Sequence, residues 1–247
     1  MTSTLRLDAR FNGPPHSANG GFAAGTIAQP LGGTASVRLI RPIPLDTPLE
    51  VETDVGGFIA SVADSQHHVV AEARRVDPFT MIPPVGPSFA DAEAAREASP
   101  LQGARHLLSN CVVCGPDRRD GLKVTPGPLA NRSDVLAAPF VPLERDATDG
   151  VVHPVVVWGA LDCPSYPATS LLEGRLGLLG TLTAHQNRDV FLGERLVAVG
   201  WTIEQHGRST QTASALLDER GDVVASAGAV WIELRHQWLM RLVGRIR

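Results

Sequence analysis

Two short stretches of this sequence contain residue types that can do chemistry. Asn19-Gly20-Gly21 stands before a run of small apolar residues. If a helix begins there, its first N–H groups have no intrahelical acceptor and lie at the positive end of the helix dipole, where glycines allow a close approach. Asp162 lies in the apolar segment GALDCP. Burial there would raise the pKa of its carboxyl group and suggest a functional role; the alternative is a solvated aspartate that marks a helix end.

The composition limits the classes of function in which these residues can take part. The chain has 247 residues, of which 43% are hydrophobic, and a formal net charge of −4, which gives no reason to expect a nucleic-acid partner. The sequence MTSTLRLDAR lacks the regions of a signal peptide. We expect no membrane-spanning segment, because no apolar run approaches about 18 residues. Three cysteines without a secretion signal favour reduced thiols and a cytoplasmic location.

The two halves of the chain repeat one order of elements. VVAEA ends the strand pattern of the first half and VVASA that of the second. A repeat of this size indicates a duplicated domain. Alternating apolar residues and turn signals mark four strands in each half, at 32–40, 49–55, 58–64 and 69–76, and at 178–186, 194–205, 210–218 and 223–234.

Each set of strands follows a segment that is apolar nearly all round, at roughly 19–31 in the first half and 150–163 in the second. A helix without a polar face is expected to be buried. We therefore predict an α+β fold with two units, each an antiparallel sheet wrapped around a central helix.

Four regions follow from this division. We assign 1–76 to the first unit and 126–234 to the second. Between them, 77–125 is a linker that contains a Cys-x-x-Cys turn, and its first part, 77–100, is rich in proline and is expected to run over the surface. The last residues, 235–247, form a basic amphipathic tail, for which a short helix packed on the protein's own sheet or on a partner is favoured over a membrane-surface helix.

Four motifs make the expectation more specific: FNGPPHSANGG, RPIPLDTPL, CVVCGPDR and HPVVVWGALDCP. Together they resemble those of double hotdog proteins of the acyl-CoA thioesterase superfamily, and the resemblance spans nearly the whole chain. It implies two tandem hotdog units. In single-domain members of that superfamily, a His-Gly-Gly opens the central helix and a carboxylate follows nine positions after the histidine. Each active site there combines the helix N-terminus of one unit with the carboxylate of the other.

Each half of this chain matches a different part of that pattern. In the first half Asn19 takes the place of the histidine and two glycines follow, but the ninth residue after it is Ala28, which cannot exchange protons. In the second half His153 is followed by Pro-Val, and the ninth residue after it is Asp162. The resemblance therefore implies one complete composite site per chain, built from the glycines of the first half and Asp162 of the second.

The resemblance also implies roles at that site. The N–H groups of Gly20 and Gly21 would stabilise the oxyanion of a thioester under attack, an effect of about 3–4 kcal/mol. Asp162 would act as general base for water or as a nucleophile. Six further residues are candidates for binding substrate, with packing or loop ordering as the alternative for each: Asn12, His16, Asn19, His153, Tyr166 and Thr169. We expect the acyl chain to run between the two central helices.

The Cys-x-x-Cys turn is a weaker signal. Cys111 and Cys114 have the spacing of a zinc knuckle, but no second Cys-x-x-Cys or His-x₃-His follows, and His106 and Cys163 are the extra ligands available. A turn with two packed thiols is favoured, so we predict neither a metal nor another cofactor.

The sequence thus predicts a thioesterase that hydrolyses an acyl-CoA or acyl-carrier-protein thioester, in a chain that forms a homo-oligomer. Two alternatives stay open. The first is an enoyl-CoA hydratase, although Asp149-x-x-x-His153 only loosely approaches the Asp-x-Asn-Pro-x-His of hydratases with this fold. The second is a non-catalytic acyl-CoA-binding hotdog protein, in which each half has lost part of the pattern.

Overall fold

The computed structural model describes residues 2–103 and 108–235. Most strands belong to one antiparallel sheet, and four α-helices accompany it in the described part of the chain. The helices are α1 (Gly20–Ala28), α2 (Phe89–Glu97), α3 (Pro154–Asp162) and α4 (Ala168–Leu172). The strands are β1 (Thr2–Leu5), β2 (Ala35–Leu39), β3 (Leu49–Thr53), β4 (Ile59–Ala63), β5 (Val69–Arg75), β6 (Gly127–Leu129), β7 (Arg132–Phe140), β8 (Ala147–Thr148), β9 (Val151–Val152), β10 (Gly177–Gln186), β11 (Leu196–His206), β12 (Ser209–Leu217) and β13 (Val223–Glu233).

The large sheet repeats one connectivity. Its strand order is β1-β3-β4-β5-β2-β10-β13-β12-β11-β7-β6, so the strands that follow α1 and those that follow α3 are arranged in the same way around the β2–β10 junction. There Ala35 pairs with Ala184, and the Thr183 hydroxyl donates to Ser36 Oγ at 2.8 Å. The eight strands predicted from the sequence are all present, with ends that differ by a few residues.

The sheet encloses α1 and α3, which are buried because neither helix has a polar face. The two helices run in opposite directions, since Gly21 meets Asp162 and Gly25 meets Val155. Small residues allow the close contact. A Cβ atom on Gly25 would lie 2.8 Å from Trp158 Cβ. Side chains fill the space between the helices at these contacts, and the expected path of the acyl chain between the helices stays a prediction.

The proline-rich linker contains a helix that we did not predict. Helix α2 begins with a capping box, in which Ser88 and Asp91 each bond the other's backbone N–H. Ala92 and Ala95 bury its inner face on the outside of the sheet, in a cluster with residues such as Val135. The fully buried residues of this face are these two small alanines, with half-buried Phe89 packing on the same cluster at the start of the helix, which explains why hydrophobic periodicity did not reveal it.

Two further predictions concern a membrane-spanning segment and the C-terminal tail. No helix among residues 2–103 and 108–235 is long and apolar enough to cross a membrane. The predicted amphipathic helix in 235–247 lies outside the described residues, except for Arg235.

Candidate active site

The carboxylate of Asp162 lies against the N-terminus of α1. Its Oδ2 accepts the backbone N–H of Gly21 at 2.9 Å and the side-chain N–H of Asn19 at 2.7 Å. Asp162 ends α3 and is 2% exposed, so it is not the solvated helix-end residue that the sequence left as an alternative. The two halves of the chain therefore meet through a buried carboxylate and a helix N-terminus.

Asn19 holds this junction from both sides. It is the N-cap of α1, where its Oδ1 accepts the N–H of Phe22 at 3.0 Å, an arrangement that satisfies one of the free donors of the helix. Its amide nitrogen points the other way, to Asp162. The short amide of asparagine supplies the acceptor for Phe22 and the donor for Asp162 from one planar group.

The two glycines allow the close approach of α1 to its neighbours. A Cβ atom on Gly21 would lie 2.6 Å from both Asp162 Cβ and Trp158 O, closer than atoms can pack. On Gly20 it would lie 2.7 Å from Leu179 Cδ2. The Gly20 N–H is the first of the helix and has no intrahelical acceptor. The Gly21 N–H is occupied by Asp162, so a substrate oxygen would have to share it or displace the carboxylate.

Burial changes the acid–base properties of Asp162. Desolvation raises the pKa of its carboxyl group from 3.8 to about 7, and the Cys111 thiol nearby raises it further, against the hydrogen bonds from Gly21 and Asn19 that lower it. Its second oxygen, Oδ1, is buried and has no hydrogen-bond partner among the residues that the structure describes. A carboxylate with a pKa near neutrality and an unused lone pair is suited to take a proton from water.

A cleft with a volume of about 80 Å³ is lined in part by Phe22, the residue that follows the glycine pair in the sequence. Phe11 and Phe22 give it apolar walls, while the charged residues of its lining are of both signs: Arg10, Arg145, Asp120 and Asp146. Helix α1 contributes Phe22 to the lining, and Val155 and Val156 of α3 also line the cleft. Asp162 does not line it.

Solved structures with the same arrangement were found over nearly the whole chain. A candidate thioesterase II from Thermobifida fusca is 18% identical, with a TM-score of 0.58 over 95% of this chain and 92% of that one. A tesB protein from Mycobacterium avium subspecies paratuberculosis is 11% identical, with a TM-score of 0.60 over 94% and 92%. A protein of unknown function with a hot dog fold from Alicyclobacillus acidocaldarius is 12% identical, with a TM-score of 0.56 over 94% and 93%.

This chain has the hotdog fold. At these identities the comparisons establish the fold, and they confirm the resemblance to hotdog proteins that the motifs indicated. No protein-family model and no curated protein matches the sequence.

The predicted binding residues of this hotdog protein lie at different distances from Asp162. Asn19 contacts it directly. Asn12 instead joins two loops: its amide donates to the Asn110 carbonyl at 3.0 Å and its oxygen accepts from Arg118. His16 is exposed, with a left-handed φ of 66°. These contacts indicate loop ordering for Asn12.

The predicted residues of the second half lie mostly away from the carboxylate. His153 is the N-cap of α3 and lines the cleft, with its Nε2 3.3 Å from Thr148 Oγ1. Tyr166 donates its hydroxyl to the Arg175 carbonyl at 2.7 Å, and burial raises the pKa of its phenol. Thr169 is exposed on α4. Among these three, only His153 faces the cleft beside α1.

The sequence did not predict the direct bond between Asn19 and Asp162, which lie 143 positions apart. It also did not place the linker cysteines at the site, where Asn19 Nδ2 lies 3.8 Å from Cys111 Sγ and 3.9 Å from Cys163 Sγ. The signal that was available is the adjacency of Cys163 to Asp162 in the motif LDCP.

Proposed function

We propose that this protein is a thioesterase that hydrolyses an acyl-CoA or acyl-carrier-protein thioester. Its chain consists of two tandem hotdog units, and a single composite site lies where the N-terminus of α1 meets Asp162. The observation that carries the proposal is the carboxylate of Asp162, buried and bonded across the two units to Asn19 and Gly21. The names of several structural neighbours, among them the candidate thioesterase II, agree with this reaction class.

The reaction needs a site for the thioester oxygen. The N–H of Gly20 and the positive end of the α1 dipole provide one, since both favour the negative charge that this oxygen acquires during attack. The Gly21 N–H joins them once Asp162 takes up a proton and its Oδ2 becomes a weaker acceptor. The helix N-terminus therefore gains a free donor at the moment when the oxyanion forms.

Asp162 supplies the base. In the ionised form it accepts a proton from a water molecule at Oδ1, the oxygen that has no partner in the structure. The water oxygen attacks the thioester carbon, the C–S bond breaks, and the proton passes from Asp162 to the departing thiolate. The products are a carboxylic acid and a free thiol, and Asp162 returns to its ionised form.

The cleft has a mixed lining of apolar and charged side chains. Phe11 and Phe22 offer apolar surroundings to an acyl group, and Arg10 and Arg145 offer cations to the phosphate-bearing arm of a carrier, with Asp120 and Asp146 also in the lining. We propose that the substrate enters through this cleft and reaches the N-terminus of α1 past Phe22. Homo-oligomer formation, expected because duplicated units leave sheet edges and faces that often associate, is a separate proposal, and a measured mass in solution would test it.

The deciding experiment is thiol release from short, long, branched and aromatic acyl-CoA esters by the purified protein. Release from at least one class supports the proposal and names the acyl group. Tight acyl-CoA binding without release would favour the non-catalytic protein. Addition of water to an enoyl-CoA, without thiol release, would favour the hydratase.

A further inference from the structure

We propose that Cys111, Cys114 and Cys163 bind one zinc ion beside the candidate active site. The sequence shows only two of these thiols as a motif, and the fold brings the third to them. The three sulfur atoms lie within 4.8 Å of one another, and no disulfide joins them.

The distances suit a single thiophilic ion. Zinc–sulfur bonds of about 2.3 Å in a tetrahedron place the sulfurs about 3.8 Å apart. The observed cluster therefore needs shifts of less than about 1 Å per sulfur, which side-chain rotation provides. Cys111 and Cys114 are buried and Cys163 is 9% exposed, so the thiols are already withdrawn from water and turned towards one another.

The linker turn has the local structure of a metal-binding knuckle. The backbone N–H groups of Val113 and Cys114 donate to the Cys111 sulfur, and such donors stabilise a thiolate more than a thiol. The turn closes with the N–H of Gly115 donating to the Cys111 carbonyl at 2.9 Å. A Cβ atom on Gly115 would lie 2.5 Å from that carbonyl oxygen, so the turn requires glycine there.

Further donors offset the charge of such a site. Three thiolates and one Zn²⁺ carry a net charge of −1. The amide of Asn19, close to the sulfurs of Cys111 and Cys163, brings a partial positive charge to two of the three ligands. Two thiols packed as ordinary apolar groups would require neither this donor nor the backbone N–H groups of the turn.

The ion would fasten the linker to the second half of the chain. Cys111 and Cys114 belong to the linker, and Cys163 directly follows the last residue of α3. The linker turn is also tied to the loop before α1, where the N–H of Val112 donates to the Asn12 carbonyl at 2.9 Å. Within the described residues, no further His, Cys, Asp or Glu joins the three sulfurs at that distance.

The test is metal binding by the full chain, and it does not depend on turnover. We expect about one zinc per chain by elemental analysis of protein purified without chelator. After zinc removal under reducing conditions, Co²⁺ should give the thiolate charge-transfer and visible bands of a tetrahedral site. Less than about 0.1 zinc per chain together with no cobalt bands, or a disulfide between two of the three cysteines in fresh protein, would overturn the proposal.

Two variants separate this site from the proposed reaction. Cys114→Ser should weaken cobalt binding by more than about 100-fold, beyond the usual effect of residues behind the ligands. Asp162→Asn leaves all three sulfurs in place and should change it by less than about 10-fold. Unaltered cobalt binding by Cys114→Ser would contradict the assignment of ligands.

A measurement on the wild-type chain covers the case in which Cys114→Ser does not fold. Stepwise modification of the thiols with a mercurial reagent should release one zinc for every three thiols that react. Modification of three thiols without zinc release would overturn the proposal, whether or not the protein hydrolyses a thioester.

Discussion

The two central helices begin in different ways, although the chain builds the same strands behind each. Helix α1 begins with Asn19 and two glycines, and the carboxylate of Asp162 lies against its first turn. Helix α3 begins at Pro154, and its N-cap His153 makes no side-chain capping bond. On α1, the position that corresponds to Asp162 is Ala28. The same strand order thus surrounds two helix N-termini that differ. That of α1 has the carboxylate of Asp162 against its N–H donors, and that of α3 has no corresponding acid.

This difference explains how the N-terminus of α1, and not that of α3, can hold a buried carboxylate. Burying a carboxylate costs free energy that only hydrogen bonds offset, and the α1 end supplies two of them. At the α3 end, Pro154 removes one N–H from the first turn, and Val155 has a side chain where Gly21 has none. A second buried aspartate there would lack both partners, which agrees with alanine at position 28.

Among the variants that test this comparison, Asp162→Asn should have the largest effect, which is on thiol release. Asparagine keeps the size of the side chain but cannot take a proton, so thiol release should fall by about 10²–10⁴-fold. Asp149→Asn is the matched control. Asp149 is exposed before α3 with a φ of 51°, a conformation that asparagine also adopts. Thiol release by Asp149→Asn should be unchanged. Equal losses of thiol release in Asp162→Asn and Asp149→Asn would contradict the distinction between the two helix N-termini.

The pH dependence of stability follows from the pKa of Asp162, raised from 3.8 to about 7. Between these values the folded protein holds a proton that the unfolded chain releases, so stability falls as pH rises through this window and levels off above it. From pH 5 to pH 8, the free energy of unfolding should fall by up to about 3 kcal/mol relative to Asp162→Asn. Urea unfolding of both proteins measures this difference, and parallel pH curves would contradict it.

The glycine pair should respond unequally to an added methyl group. In Gly21→Ala the new Cβ meets the Trp158 carbonyl and the Asp162 side chain near its root, which cannot rotate away, so unfolding should become easier by about 2–3 kcal/mol. In Gly20→Ala it meets the end of Leu179, which can turn, and the loss should stay below about 1 kcal/mol. Chemical denaturation ranks the two variants, and the reverse order would show that the helices do not pack as described.

Particular residues show how far the sequence determined this site. The apolar runs in α1 and α3 and the alternation in the eight strands predicted the fold, because period and burial are properties of adjacent residues. The spacing of nine residues found Asp162, but only through a resemblance. The bond between Asn19 and Asp162, and the meeting of Cys163 with Cys111, depend on how the two halves pack. No local pattern encodes that packing.

Asn19→Ala should give a modest effect on stability and a specific effect on the pKa of Asp162. The loss of the N-cap costs about 1 kcal/mol of stability. The loss of the amide bond to Oδ2 also removes one of the two hydrogen bonds that lower the pKa of Asp162, so the rising limb of the pH–rate profile should move to higher pH. His153→Ala removes the N-cap side chain at the other helix and should leave that limb where it is, since His153 is not among the residues that shift this pKa. An unchanged rising limb in Asn19→Ala would mean that Asn19 caps α1 without lowering the pKa of Asp162. The contrast between the two helix N-termini would then rest on Gly21 and Asp162 alone.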